Sequence, residues 1–169
     1  VPMLDPRAPD NAQNAHAGIM GTPDAFTWVD AVNLLREHRA DRQAAMSSGS
    51  VAVTPADAGQ HPFFENGQYV TADFFRMFDA PFEAGTGWTS AQDDAHARVV
   101  VLNAELARKL FGDADAVGRP VRLDNTEFRV IGVLRDWHPQ PAFYAQHGAR
   151  VFGGADQFFM PLQTAVELQ

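Results

Sequence analysis

Asp93, Asp94 and His96 stand together in the run DDAH, the closest approach this chain makes to a metal cluster. Catalytic zinc needs three protein ligands converging on one point and a position left open. A single polar loop satisfies that poorly, so DDAH reads more simply as a solvated turn; a metal-dependent hydrolase built on these residues would have to show stoichiometric zinc. The other histidines, His16, His38, His61, His138 and His147, form neither HExxH nor an HxH beside a carboxylate. His138, between Trp137 and Pro139, reads as a loop anchor. The serines of SSGS have no GxSxG elbow and no identifiable base, which leaves nucleophilic catalysis without support. Carboxylates are plentiful, but nothing in their order sets two of them across a cleft. The expectation is a chain without catalytic, cofactor-binding or metal-binding residues, and therefore not an enzyme.

The segment FGDADAVGRP invites comparison with a phosphate cradle. It lacks the Lys-Ser/Thr of a P-loop, and it follows a helical stretch where a cradle would open one. Gly112 is explained as a helix stop that tolerates positive φ, and Gly118 as a turn residue before a strand. The loop is expected to steer the backbone and to bind nothing.

The elements around these residues follow from pattern and capping. Residues 1–21, rich in Pro, Asn, Asp and Ala, read as an extended or mobile lead-in. Thr22 and Pro23 suit a helix start, with Phe26, Val29, Ala31, Val32 and Leu35 as its apolar stripe and an end near Ala40. SVAVTP predicts a strand within 44–55, DAGQHP a turn, and 63–70 a second strand with ENG as a bend. Thr71 caps a short helix that turns Phe74, Phe75 and Phe78 inward. AGTGWTSAQDDAHA reads as loop. Arg98 to Leu102 is a buried strand, and Asn103 caps a helix ending near Phe111, with Leu106 and Leu110 inward and Glu105 paired to Lys109 outside. Strands 119–123 and 126–134 join at Asp124-Asn125. A long loop, WHPQPAFYAQHGARVFGGAD, leads to a last strand in QFFMPL and a helical TAVELQ. Helical and extended segments mix without strict alternation, which predicts an α+β fold with a mixed sheet.

Composition narrows the partners. With 169 residues the chain can bury a real core. A net charge of −8 and no basic cluster exclude nucleic acid, whose phosphates demand a cationic surface. The longest apolar runs fall far short of the roughly 20 residues that cross a bilayer, and the first residues lack the basic tip and apolar stretch of a signal peptide. This is the expected pattern for a soluble segment cut from a larger protein. The absence of cysteine leaves the redox compartment open. Aromatics are the exception to a bland surface. Thirteen phenylalanines, with pairs at Phe63-Phe64, Phe74-Phe75 and Phe158-Phe159, exceed what one inward face per segment hides. Either both members of each pair are buried between layers or an apolar patch remains for docking. Trp88, Trp137, Phe143 and Tyr144, in loops, carry the same ambiguity and join Phe63 and Phe64 as candidate partner or cargo contacts.

YVTADFFRMFDAPFEAGTGW, VVVLNAELARKLFGDADAVGRPVRLDNTEFRVIGVLRDW and FFMPLQTAVEL occur in that order. Together they resemble the MacB-like periplasmic core domain of ABC transporter permeases, in the FtsX/MacB superfamily, over most of 69–169. TWVDAVNLLREHRA matches the family's earlier helix, while residues 1–21 match nothing in it. The resemblance implies a noncatalytic domain on the periplasmic face of the bacterial inner membrane, without a cofactor. It implies that ATP-driven motion from a separate or fused ATPase is passed to an adaptor, a sister subunit of a permease dimer, or exported cargo. It also implies two small lobes within 22–169: a membrane-proximal βαβ-type lobe from about 22–80 plus the C-terminal end, and a projecting mixed α/β lobe from about 81–157. Family members continue with a further βαβ half beyond the last motif. A chain without it would expose a sheet edge that another chain can cover. The alternative is a free-standing periplasmic ligand-binding protein with a closed apolar pocket.

Overall fold

The computed structural model describes residues 27–56, 59–137, 139 and 154–168. Seven strands make one mixed sheet: β1 (Met46–Thr54), β2 (Phe63–Val70), β3 (Phe82–Gly85), β4 (Val99–Asn103), β5 (Pro120–Leu123), β6 (Thr126–Leu134) and β7 (Phe158–Pro161). Their order is β3-β6-β4-β7-β2-β1-β5. β5 also pairs with β6, so the sheet curls until β5 bridges β1 and the first half of β6, and β3 takes the remaining length of that edge. β2–β7 and β4–β6 are parallel; the other pairs are antiparallel. The mixed sheet and the α+β class agree with the sequence pattern.

Strand alternation then divides the core in two. On β4, Val100 and Leu102 enter one cluster with Val51, Val53, Val121, Leu123, Phe128, Val130, Phe158 and Met160. Val99 and Val101 point the other way, to Val70, Phe74, Phe75, Trp88, Leu134 and Phe159. That answers the question of the paired phenylalanines. Phe158 and Phe159 sit on opposite faces of a central strand and are both buried. Phe74 and Phe75 are both buried as well, meeting edge to face with centroids 5.6 Å apart. Only the pair on β2 divides, with Phe63 half-buried and Phe64 77% exposed. Each fully buried phenylalanine contributes roughly 2–3 kcal/mol of apolar transfer.

Among the described residues there are five helices: α1 (Trp28–Arg36), α2 (Phe74–Met77), α3 (Ser90–Asp94), α4 (Ala104–Phe111) and α5 (Leu162–Leu168). Several local expectations are corrected. α1 starts at a Thr27 cap, whose hydroxyl accepts the Asp30 N–H, and not at Thr22, which lies outside the described residues with Pro23 and Phe26. It ends at Arg36, and Val29 is exposed while Ala31, Val32 and Leu35 are half-buried. Thr71 does not cap α2; its hydroxyl takes the Ala45 N–H and fastens the start of β1. ENG is no bend, because β2 runs straight through it with Gly67 opposite Gly49. Gly67 is required, because a Cβ there would lie 2.2 Å from the Phe158 carbonyl oxygen; one on Gly49 would meet the outer end of the Tyr69 ring at 2.3 Å and make it shift. The expected loop 84–97 holds the end of β3 and all of α3, which starts with a complete Thr89–Gln92 capping box.

Candidate functional site

The glycine corner follows α4. Gly112 ends the helix at φ 63° and Gly118 turns at φ 88°, and an added Cβ at either would meet nothing. The glycines serve backbone conformation here, not close packing. Asp115 folds back to accept the Val117 N–H, and Ala116 is buried in the first core. The loop borders an open cleft of about 380 Å³ whose walls include Glu83, Arg108, Asp113, Asp115 and Val133. Arg108, the cation of that wall, is engaged by Asp136 at 2.9 Å. The walls are mostly acidic or apolar, which suits neither phosphate nor nucleotide.

Asn103 has the extended conformation of an N-cap, yet its side chain does not cap α4. It is fully buried and donates instead to the carbonyls of Asp156, at 3.2 Å, and Trp137, at 3.5 Å. The expected Glu105–Lys109 pair is also replaced. Lys109 reaches across to Glu65 at 2.9 Å and lies 3.5 Å over the Phe63 ring, while Glu105 accepts from Gln157. Both residues serve tertiary contacts because α4 packs along the sheet and offers them nearer partners than each other.

The DDAH triad is pulled apart by its own helix. Asp93 turns inward, is 7% exposed, and accepts the Ala72 N–H at 2.7 Å. Its pKa rises to about 6, chiefly because burial penalises the charged form; the Ala72 N–H and the Trp88 indole oppose the rise, and Asp94 and Asp73 add to it. Asp93 Oδ1 and Trp88 Nε1 are both buried, and their approach falls short of hydrogen-bond geometry. Asp94 stays exposed. His96 points to α5, with Nδ1 2.9 Å from Glu167 and Nε2 3.1 Å from Gln163. Thr164 reinforces that contact by donating to the Ala97 carbonyl. Among the described residues no group of three or more His, Asp or Glu is placed to hold a metal ion. Asp93 and His96 are fasteners between α2, α3, β4 and α5. The capping box T-x-x-Q was the available signal for that arrangement.

The expected aromatic contacts scatter. Trp88 is 4% exposed and packs edge to face on Phe75, so it belongs to the core and leaves the contact set. Trp137 is half-buried against Phe74 and Phe159. Phe63 is half-buried beneath Lys109, and Phe64 alone of the described candidates projects into solvent. Phe143 and Tyr144 lie outside the described residues. A second open cleft, about 290 Å³, runs between α1, the 71–73 turn and α3, with Leu35, Asp41, Asp73 and Asp93 in its walls. No helix of the described residues is long and apolar enough to cross a membrane.

Comparison with known proteins bears on this arrangement directly. A family model described as the MacB-like periplasmic core domain matches residues 5–169. A macrolide export ATP-binding/permease protein of Chromobacterium violaceum is 36% identical over 98 residues, covering 57% of this chain and 13% of that protein. A pyoverdine export ATP-binding/permease protein of Pseudomonas aeruginosa is 36% identical over 64 residues, covering 38% of this chain and 10% of its own length. The chain thus spans a small part of these relatives. In fold it is similar to the periplasmic region of MacB from Actinobacillus actinomycetemcomitans, with TM-score 0.63 and 18% identity over 89% of this chain and 62% of that one. It is also similar to the extracellular domain of the transporter YknZ from Gram-positive bacteria, with TM-score 0.61 and 17% identity, covering 85% and 66%.

Proposed function

The chain belongs to the family of MacB-like periplasmic core domains, and from that premise we propose that it is the noncatalytic extracytoplasmic domain of an ABC transporter permease. The reading rests on one observation, the match of the family model along nearly the whole chain. In this role the domain stands on the periplasmic face of the inner membrane. An ATPase domain or subunit on the other side supplies motion, and the domain hands it to an adaptor, a sister subunit or exported cargo. The membrane-proximal lobe is assigned to about 22–80 and the C-terminal end, and the projecting lobe to about 81–157. Strands from both stretches share one hydrogen-bonded sheet, which suits transmission, because a displacement applied to one lobe is carried to the other without slack.

Phe64 is the side chain best placed for a partner, with the half-buried Phe63 and Trp137 as rim. The test is made in the parent transporter. Cells expressing the parent with this domain deleted are expected to retain ATP hydrolysis and lose export. Export that survives the deletion, or turnover of ATP by this domain alone, would overturn the assignment.

A further inference from the structure

Asn103 stands where β4 hands over to α4, and its side chain is turned away from the helix. Its backbone, at φ −74° and ψ 148°, already has the extended geometry of an N-cap. Yet its Nδ2 donates to the carbonyls of Asp156, at 3.2 Å, and Trp137, at 3.5 Å, and two carbonyl acceptors fix which end of the amide carries the hydrogens. Its Oδ1 is buried and has no hydrogen-bond partner. The first turn of α4 meanwhile goes without the side-chain cap that Thr27 gives α1 and Thr89 gives α3. A buried acceptor without a donor and a helix start without a capping acceptor therefore lie on adjoining residues.

The side chain can change partners without moving the strand. Asn103 is held in place by its own N–H on the Gln157 carbonyl at 2.9 Å, and Gln157 by its N–H on the Asn66 carbonyl at 2.8 Å. Neither bond uses the Asn103 amide group, so rotation between side-chain rotamers leaves both intact. In the position seen, Oδ1 bears the desolvation of an unmade hydrogen bond, and the longer Nδ2 contact lies beyond the roughly 2.7–3.2 Å usual for N–H···O. Glu105, held by Gln157 at 2.9 Å, keeps a carboxylate near the uncapped helix start, which lowers the cost of leaving it so. Turned over α4, Oδ1 would accept the Glu105 or Leu106 N–H, the donors that a cap serves, and the Trp137 and Asp156 carbonyls would lose this donor instead. Each arrangement satisfies what the other leaves unmet, the condition for two positions of similar free energy.

We propose that Asn103 is a two-position latch: latched, its amide ties the backbones at Trp137 and Asp156 to the end of β4; unlatched, it caps α4 and lets those backbones part. A displacement of either backbone is thereby converted into a change at the start of α4, the helix whose Arg108 and Lys109 hold Asp136 and Glu65. The latch also bears on the second core, because the Trp137 ring packs on Phe74 and Phe159. The inference concerns the domain by itself and stands or fails separately from the export reading.

Two substitutions in the full chain separate the two positions. Ser caps a helix about as well as Asn but is too short to reach either carbonyl, and Ala does neither. Hydrogen exchange at the Glu105 and Leu106 amides is expected to slow about fivefold in Asn103→Ser, the effect of a typical cap, and not in Asn103→Ala. The chain has no cysteine, so spin labels on Arg135→Cys and Gly154→Cys, both exposed, report the separation of the two tied backbones. That distance distribution is expected to be narrow with Asn103 and broad with either substitution. In the unsubstituted chain, amide nitrogen relaxation dispersion is expected to show a minor state in which Glu105 and Leu106 take the shifts they have in Asn103→Ser, a readout that does not depend on how well the variants fold. Unchanged exchange in a folded Asn103→Ser, label distances that stay narrow in both variants, or no dispersion at Glu105 and Leu106 would overturn the proposal and leave Asn103 a fixed bridge.

Discussion

Replacing Asp93 by asparagine tests the physics of the α2–α3 junction. Folding raises the Asp93 pKa from 3.8 to about 6, mainly through burial. The folded protein therefore holds this proton more tightly than the unfolded chain does. Below pH 4 the group is protonated in both states and its contribution is fully present. As pH rises through 6 the folded state must either release the proton or keep a charge out of water, and stability falls. A shift of about 2 units corresponds to roughly 2–3 kcal/mol across that window. Asparagine offers the same acceptor to the Ala72 N–H but carries no charge. The difference in unfolding free energy, variant minus wild type, should accordingly grow by about 2–3 kcal/mol between pH 4 and pH 7. Urea titrations at stepped pH, followed by tryptophan fluorescence, give that difference directly. A pH-independent difference, or one that grows toward acid, would refute the reasoning.

Two contrasts extend the test to packing. Gly67→Ala, which drives a Cβ into the Phe158 backbone, should destabilise by about 3 kcal/mol or more, whereas Gly112→Ala meets open space and should cost about 1–3 kcal/mol for a backbone at φ 63° and ψ −135° that glycine alone adopts readily; denaturant midpoints of the pair decide whether the corner is merely conformational. Phe74→Ala should cost about 3–5 kcal/mol, while Phe64→Ser should leave stability within about 0.5 kcal/mol, as measured by thermal and urea unfolding. A destabilised Phe64→Ser would show that this ring is held by the fold and is not free for a partner.

Much of the architecture was legible because β4 and α4 carry strong local signals. VVVLN is apolar throughout, and such a strand must be buried on both faces. The helix that follows shows a clear inward stripe and stops at a glycine. What escaped was tertiary. Nothing local announces that Lys109 prefers Glu65, 44 residues away, to the Glu105 one turn before it. Asn103 likewise has the right identity and backbone for a cap, but the carbonyls of Trp137 and Asp156 claim its side chain. The aromatic reading failed at Trp88 for the same reason. A tryptophan between glycine and threonine looks like a loop residue until Phe75 packs across it.

These failures share a physical origin that bears on the proposed role. The displaced side chains all tie segments distant in sequence: α4 to β2, β4 to the 137 and 156 backbones, and α3 to α2 and α5. They point at one another's elements. Asp93, the described carboxylate with the markedly raised pKa, accepts the Ala72 N–H and lies against the Trp88 ring, in the wall of the open cleft it shares with Asp41 and Asp73. Its perturbation comes chiefly from burial between those elements, against the opposing pull of the Ala72 N–H. Cross-ties of that kind resist relative movement of the helices over the sheet, which is what a body must do if force applied at one end is to arrive at the other.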